Sequence, residues 1–309
     1  MKYLLFLLFS FSLFSEASAQ CCSVGSPVGG TTSIGTLPQN NFRYTLFYRY
    51  GYGNRYYIAS ELVNDTKINV KQAFSNYVGL FIDYGLLNRL TITGECGYYI
   101  NKVQDWGEKG QFEASGLSSA VLMGKYNLLN DIESEFEITA GMGIKIPFTS
   151  KRIQKNGVDL PRDVQPSPGA FGFVSQLYLR KGFSDISANL FLVNRIEING
   201  SNEDDLDYRY GNCYNTSFFI TKKIVDNLIG ILQIRNEIKE KDRDNFTGEI
   251  STSGSNLFFF SPQINYSFGD LSVSALYDLP VYRYYNNRQL GGKYSFALNF
   301  IWQMDLSGN

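Results

Sequence analysis

The sequence of 309 residues contains no histidine. Imidazole is the commonest general base near neutral pH and a common metal ligand, so histidine-dependent catalysis and histidine metal sites are excluded. Proline is scarce, at 8 residues, and the formal net charge is −1. So balanced a charge gives no footprint for nucleic acid or an acidic membrane surface. Beyond the N-terminus no run of 18 or more apolar residues occurs, so no helical membrane span is expected. What the chain has in quantity is aromatic: 22 Tyr and 24 Phe.

The first residues read as a secretory leader. Lys2 supplies positive charge, Leu4 to Phe14 form a short apolar run broken by Ser10 and Ser12, and Ala17-Ser18-Ala19 offers a small-x-small cleavage site. A signal peptide is therefore expected over residues 1–19, and the mature chain is expected to be exported. A Gly/Ser/Thr/Pro-rich lead follows, and residues 20–41 are expected to be a flexible periplasmic segment or a plug folded inward.

From residue 42 the chain repeats one pattern. Segments of about ten residues alternate apolar with polar or small side chains, the period of a β-strand. In "RLTITGECGYYI" Leu90, Ile92, Gly94, Cys96, Tyr98 and Ile100 share one face, opposite Arg89, Thr91, Thr93, Glu95 and Gly97. "EFEITAGMGIKI" sets Phe136, Ile138, Ala140, Met142, Ile144 and Ile146 against Glu135, Glu137, Thr139 and Lys145. "YSFALNFIWQ" sets Tyr294, Phe296, Leu298, Phe300 and Trp302 against Ser295, Asn299 and Gln303. Less regular segments at 42–52, 76–85, 116–128, 170–180, 183–195, 211–222, 228–237, 256–268 and 271–282 bring the expectation to about twelve strands, with little helix.

The connections alternate too. Short ones fall at "GLLN", "LNDI", "RKGF", "KIVDN" and "GD", and long polar ones at 53–75, 101–115, 148–168, 196–210, 238–255 and 283–292. An antiparallel up-and-down transmembrane β-barrel places tight turns on the periplasmic side and long loops outside. A soluble β-sandwich also has period-two strands. Hairpin-after-hairpin order, charges of both signs on the polar faces, and tyrosines gathered near strand ends favour the barrel, all-β and spanning residues 42–304 with a tail at 305–309.

Several stretches resemble one family. "GLSSAVLMGKYNLL", "ITAGMGIKIPFTS", "GVDLPRDVQPSPGAFGF", "SPQINYSF" and "LPVYRYYNNRQLGGKYSFALNFIW" are similar to the outer-membrane proteins associated with the phenol meta-cleavage pathway. That family is grouped with transporters whose barrels resemble the long-chain fatty-acid channels. The resemblance, over roughly residues 116 to 302, implies passive or gradient-driven uptake of small hydrophobic compounds across the outer membrane of a Gram-negative bacterium. The chain departs from the pattern by ending "WQMDLSGN" instead of on a terminal aromatic.

Outer-membrane barrel enzymes of the phospholipase, protease, deacylase and palmitoyltransferase types resemble one another in using a catalytic histidine, so no enzyme is expected. Glu135 and Glu137, two residues apart on one strand face, read as solvated lumen charges and not as an acid–base pair. The acidic run Glu203, Asp204, Asp205 and Asp207 reads as an exposed loop, because it lacks the Gly-punctuated frame of a calcium loop.

Cys21 and Cys22 are weak candidates for a soft metal ion, since two thiolates without histidine leave a coordination shell incomplete; oxidised thiols in a periplasmic lead are the plainer reading. By strand alternation Cys96 faces lipid and Cys213 faces inward. No cofactor is expected.

The lumen-facing candidates are Arg43, Arg49, Arg89, Glu95, Glu135, Glu137, Lys145, Arg180, Arg235 and Glu237. Lumen charges set which solutes pass, or brace neighbouring strands and close the bore. The expected function is a porin-like outer-membrane channel for passive uptake of small hydrophobic solutes. The rivals are a non-transporting structural or adhesin-type barrel acting through its extracellular loops, and a metal-handling barrel using the N-terminal cysteine pair. Expected partners are outer-membrane lipid and lipopolysaccharide, a small-molecule solute and the barrel-assembly machinery, with no nucleic acid.

Overall fold

Alternation sets the fold: along Leu90–Asp105, Thr91 and Thr93 are wholly buried while Tyr98 and Ile100 are exposed. The structure, a computed structural model, describes residues 35–63, 70–202 and 205–306. The expected leader, Cys21 and Cys22, and Glu203 and Asp204 lie outside the described residues.

Eleven strands form the ring: β1 (Asn41–Ala59), β2 (Gln72–Leu87), β3 (Leu90–Asp105), β4 (Ser119–Asp131), β5 (Phe136–Pro147), β6 (Gly172–Phe183), β7 (Ala188–Asn199), β8 (Cys213–Val225), β9 (Leu228–Lys239), β10 (Ser255–Phe268) and β11 (Leu271–Asp305). Each pairs antiparallel with its neighbours in sequence, and β11 closes on β1 with Asn41 opposite Asp305, Tyr44 opposite Trp302 and Tyr52 opposite Tyr294. Two short strands, Glu61–Val63 and Gln111–Leu117, add to β1 and β3 outside the ring.

Strand β11 is 35 residues long and doubles back. Its first part pairs with β10 from Leu271 to Tyr285, and its last part pairs with β1. Asn299 donates to Ser274 at 2.7 Å and Ser295 to Asp278 at 3.1 Å, so the two halves lie side by side. The chain therefore crosses twelve times, as the periodicity predicts. The loop expected at 283–292 is instead continuous strand: Arg283 pairs with Leu257, and Leu290 with Tyr56. Several other strands also run further into the expected loops, β1 to Ala59 and β3 to Asp105.

Outward faces carry the lipid contact. Met142, Phe173, Leu232, Ile264, Leu298, Phe300 and Trp302 are exposed large apolar side chains at alternate positions. Leaving water is worth roughly 1.5–3 kcal/mol for each such side chain, a gain realised only if this surface lies in a bilayer. No helix among the described residues is long and apolar enough to cross a membrane. Strands do the spanning. Tight reversals at 88–89, 132–135, 184–187, 226–227 and 269–270 share one end with the strand termini Asn41 and Asp305, which marks it as periplasmic.

Candidate functional site

The barrel interior is packed, not hollow, at the level of its charges. Three ion clusters occupy it.

Nearest the periplasmic end, Asp83 on β2 accepts from Lys125 of β4 at 3.1 Å and pairs with Arg43 of β1 at 3.0 Å, while Thr93 donates to it at 2.5 Å. The side chains of Asp83 and Lys125 are fully buried. An unpaired charge there costs several kcal/mol, so each needs the others.

The second cluster centres on Asp278 of β11. Arg49 and Ser261 both donate to it, Arg235 donates at 3.1 Å, and Ser295 donates at 3.1 Å. Arg235 also pairs with Glu237 at 3.0 Å and lies 4.2 Å over the Phe259 ring.

The third cluster spans the bore. Arg195 of β7 donates to both carboxylate oxygens of Glu95 on β3, at 2.8 Å each, across a hundred residues of sequence. Its Nε reaches Glu197 at 3.0 Å, and Lys145 of β5 pairs with the other Glu197 oxygen at 3.0 Å. A fourth, looser pair joins Arg180 to Glu137 at 3.4 Å.

Beside the third cluster lies a cavity of about 150 Å³. One wall is charged, formed by Glu95, Lys145, Arg195 and Glu197. The facing wall is aromatic: Phe47 and Phe81 stack at 5.3 Å, and Tyr77 meets Tyr99 edge-on at 4.7 Å. Pro166 and Pro168, from the long loop between β5 and β6, form part of its lining.

That loop is held in place by many ties. Lys102 donates to the Gln165 carbonyl at 3.0 Å, and Gln104 donates to Asp163 at 3.1 Å. Arg162 grips Asp205 through two bonds, of 3.0 and 2.8 Å, and lies 4.0 Å over the Tyr208 ring. Leu160 and Val164 bury against Ala114.

The periplasmic end is crossed by the chain leading into β1. A Cβ added at Gly35 would stand 3.3 Å from the Glu137 carboxylate and 3.3 Å from the Tyr178 ring. Leu37 is buried, and its N–H donates to Thr91 at 2.7 Å. Asn40 donates to the Gly85 carbonyl at 2.8 Å. At Gly85 only glycine fits, because a Cβ would lie 1.9 Å from the Pro38 carbonyl oxygen. Residues 35–40 thus cross the lumen side of the barrel base.

Of the expected lumen charges, Arg43, Arg49, Glu95, Glu137, Lys145, Arg180, Arg235 and Glu237 point inward and are paired as described. Two lie in periplasmic turns at strand ends. Arg89 is exposed in the turn between β2 and β3, where alternation no longer sets side-chain direction. Glu135 also sits in a turn, with φ of 51°, and accepts from the Ser184 N–H at 3.3 Å. Glu137 accepts from Asn127 at 3.1 Å.

Five central charges were not among the candidates: Asp83, Lys125, Arg195, Glu197 and Asp278. Asp83, Lys125 and Asp278 share their inward faces with apolar residues such as Phe81, Met123 and Leu276, which hides the polar stripe. A charge within an otherwise apolar strand was the available signal.

Cys213 lies on the inward face, accepting from Asn215 at 3.3 Å, and Cys96 on the outward one; both are free thiols. Among the described residues no group of three or more His, Cys, Asp or Glu could hold a metal ion.

A family model described as "Putative MetA-pathway of phenol degradation" matches residues 53–302. No protein of curated function matches. Among solved structures, the COG4313 outer membrane channel from Pseudomonas putida F1 superposes with a TM-score of 0.70 at 12% identity, covering 89% of this chain and 100% of that one. The β domain of the Bordetella autotransporter BrkA superposes at 0.50 with 10% identity, covering 86% of this chain and 100% of that one. At such identities the likeness shows the fold: an outer-membrane β-barrel of the Gram-negative type.

Proposed function

The chain belongs to the family whose model it matches over residues 53–302, and on that premise we propose that it is a channel for passive uptake of small, hydrophobic, ring-bearing solutes. The observation that carries this reading is the two-faced cavity. Phe47, Tyr77, Phe81 and Tyr99 offer an aromatic wall opposite the Glu95–Arg195–Glu197–Lys145 cluster. Aromatic faces take flat rings by offset or edge-on contact, while the facing charges accept or donate to a single hydroxyl. A phenol-like solute satisfies both walls. A wholly polar solute leaves the aromatic wall unmatched, and a larger one exceeds the cavity.

Passage requires two movements. The Pro166–Pro168 loop must lift on the outside, and the segment over Gly85 must shift on the periplasmic side. Among the described residues both segments are held by hydrogen bonds and side-chain packing, which supports opening by thermal motion along a solute gradient. The test is flux into liposomes: reconstituted protein should speed entry of a monocyclic phenol along its gradient, with no added energy source. Equal entry into protein-free vesicles would refute the proposal.

A second reading draws on one observation, the burial of Asp83, Lys125, Arg235 and Asp278 inside the bore. A barrel braced this way could serve as a structural or adhesin-type platform for its extracellular loops. Loss of cell-surface attachment on loop deletion, with uptake unchanged, would favour it.

A further inference from the structure

On the outer wall an open, almost wholly apolar depression of about 680 Å³ lies across β8 to β11. Two outward rows line it. In the lower, Lys222 stands opposite Gly230, Gly230 opposite Ile264, and Ile264 opposite Ala275. In the upper, Ile220 faces Leu232 and Leu232 faces Pro262, with Tyr277 beyond. Phe296 and Leu298 bound the far side. Gly230 and Ala275 keep the floor low between larger neighbours, and Pro262, lacking an N–H, interrupts the ladder to β11 between Phe260 and Gln263. Ile224 leans over the glycine: a Cβ at Gly230 would meet its Cδ1 at 3.1 Å.

Lys222 borders this depression on its β8 edge, toward the periplasmic end. The Lys222 ammonium donates to the carbonyl of Ile186, in the periplasmic turn between β6 and β7. The side chain therefore snorkels toward the interface, with its charge at headgroup level and two N–H groups to spare. A greasy trough with a cation toward its periplasmic end suits an amphiphile with an acyl chain and an anionic phosphate. We propose that the depression holds an acyl chain of an inner-leaflet phospholipid whose phosphate pairs with Lys222. Lipopolysaccharide does not fit this orientation, because its anionic headgroup lies at the opposite face of the membrane.

The experiment is native mass spectrometry of the folded barrel, purified in detergent and titrated with palmitoyl-oleoyl phosphatidylethanolamine. Wild type should carry one lipid that survives detergent exchange. Filling the floor with Gly230→Leu and Ala275→Leu should weaken that adduct about tenfold, by removing the apolar contact. Lys222→Gln should weaken it up to about fivefold, the scale of an exposed ion pair. Gly124→Leu, on the outward face of β4 with nothing within 4 Å of its Cβ position, should leave it unchanged. Heat-modifiable gel mobility confirms that each variant is folded. Should the double variant not fold, Ala275→Leu alone and Lys222→Gln carry the same test. The proposal is overturned by wild type without a lipid adduct, by floor-filled or Lys222→Gln variants that bind as wild type, or by a Gly124→Leu variant that loses lipid equally.

Discussion

Arg195 and Glu95 are joined by two parallel hydrogen bonds of 2.8 Å that cross the barrel from β7 to β3. Three strands stand between them around the wall, so the pair is a bar through the bore and not a brace along it. Fork-to-fork geometry makes it one of the stronger ion pairs a protein can build. Its side chains are 8% and 12% exposed. Arg195→Ala removes the bar and leaves Glu95 partly buried beside Glu197. We expect raised single-channel conductance with a shift toward cations, and a loss of up to about 3–5 kcal/mol in unfolding stability. Planar-bilayer recording and urea unfolding in detergent check the two effects separately.

The segment over Gly85 makes a second gate testable. Gly85→Val places side-chain atoms where the Pro38 carbonyl lies, without altering the lumen charges. Residues 35–40 must lift away, so conductance should rise and periplasmic protease should cut near Leu37 faster than in wild type. Deleting residues 22–38 should raise conductance to a similar level. Unchanged currents in both would mean that this segment does not obstruct the pathway.

Asp278 holds four donors at once. Asp278→Asn keeps the shape but leaves Arg49 and Arg235 without their shared counter-charge, two like charges facing each other in a buried site. Destabilisation of roughly 3–5 kcal/mol is expected, read as a lower temperature for the heat-modifiable gel shift. The double variant Asp278→Asn with Arg49→Gln should recover part of that loss, because one uncompensated charge is then gone.

On the outside, Arg162→Ala cuts both bonds to Asp205 and the stacking on Tyr208. The loop carrying Pro166 and Pro168 then has fewer ties above the cavity. Phenol flux into liposomes should increase about two- to fivefold, with stability changed by no more than about 1 kcal/mol since Arg162 is partly exposed.

Much of the fold was legible in the sequence because a barrel wall is the simplest pattern a strand can carry. Leu298, Phe300 and Trp302 against Ser295 and Asn299 need no tertiary information to sort. The inside was harder to read. There Phe47 and Phe81 share parity with Arg49 and Asp83, so an inward face is part aromatic core and part ion cluster, and polarity alone misses half of it. Arg195 could be placed on a strand, but nothing local says that its partner lies a hundred residues away at Glu95. Strand ends failed for a related reason. Arg89 and Glu135 continue the alternation by one letter, but both sit in turns, where backbone direction and not alternation aims the side chain. The β11 reversal reads as a polar loop in the sequence, yet strand hydrogen bonding continues on either side of Asn286 and Asn287.

The role of the aromatic wall is tested most directly by the entry rate of a radiolabelled monocyclic phenol into liposomes bearing the wild-type barrel, compared with a variant carrying Phe47→Ala and Tyr99→Ala. Gradient-driven entry well above that of protein-free vesicles is expected, reduced severalfold when the aromatic wall is removed, while entry of a polar solute of equal size stays slow throughout. Phenol entry no faster than through bare lipid, or a rate indifferent to the loss of those two rings, would contradict that role.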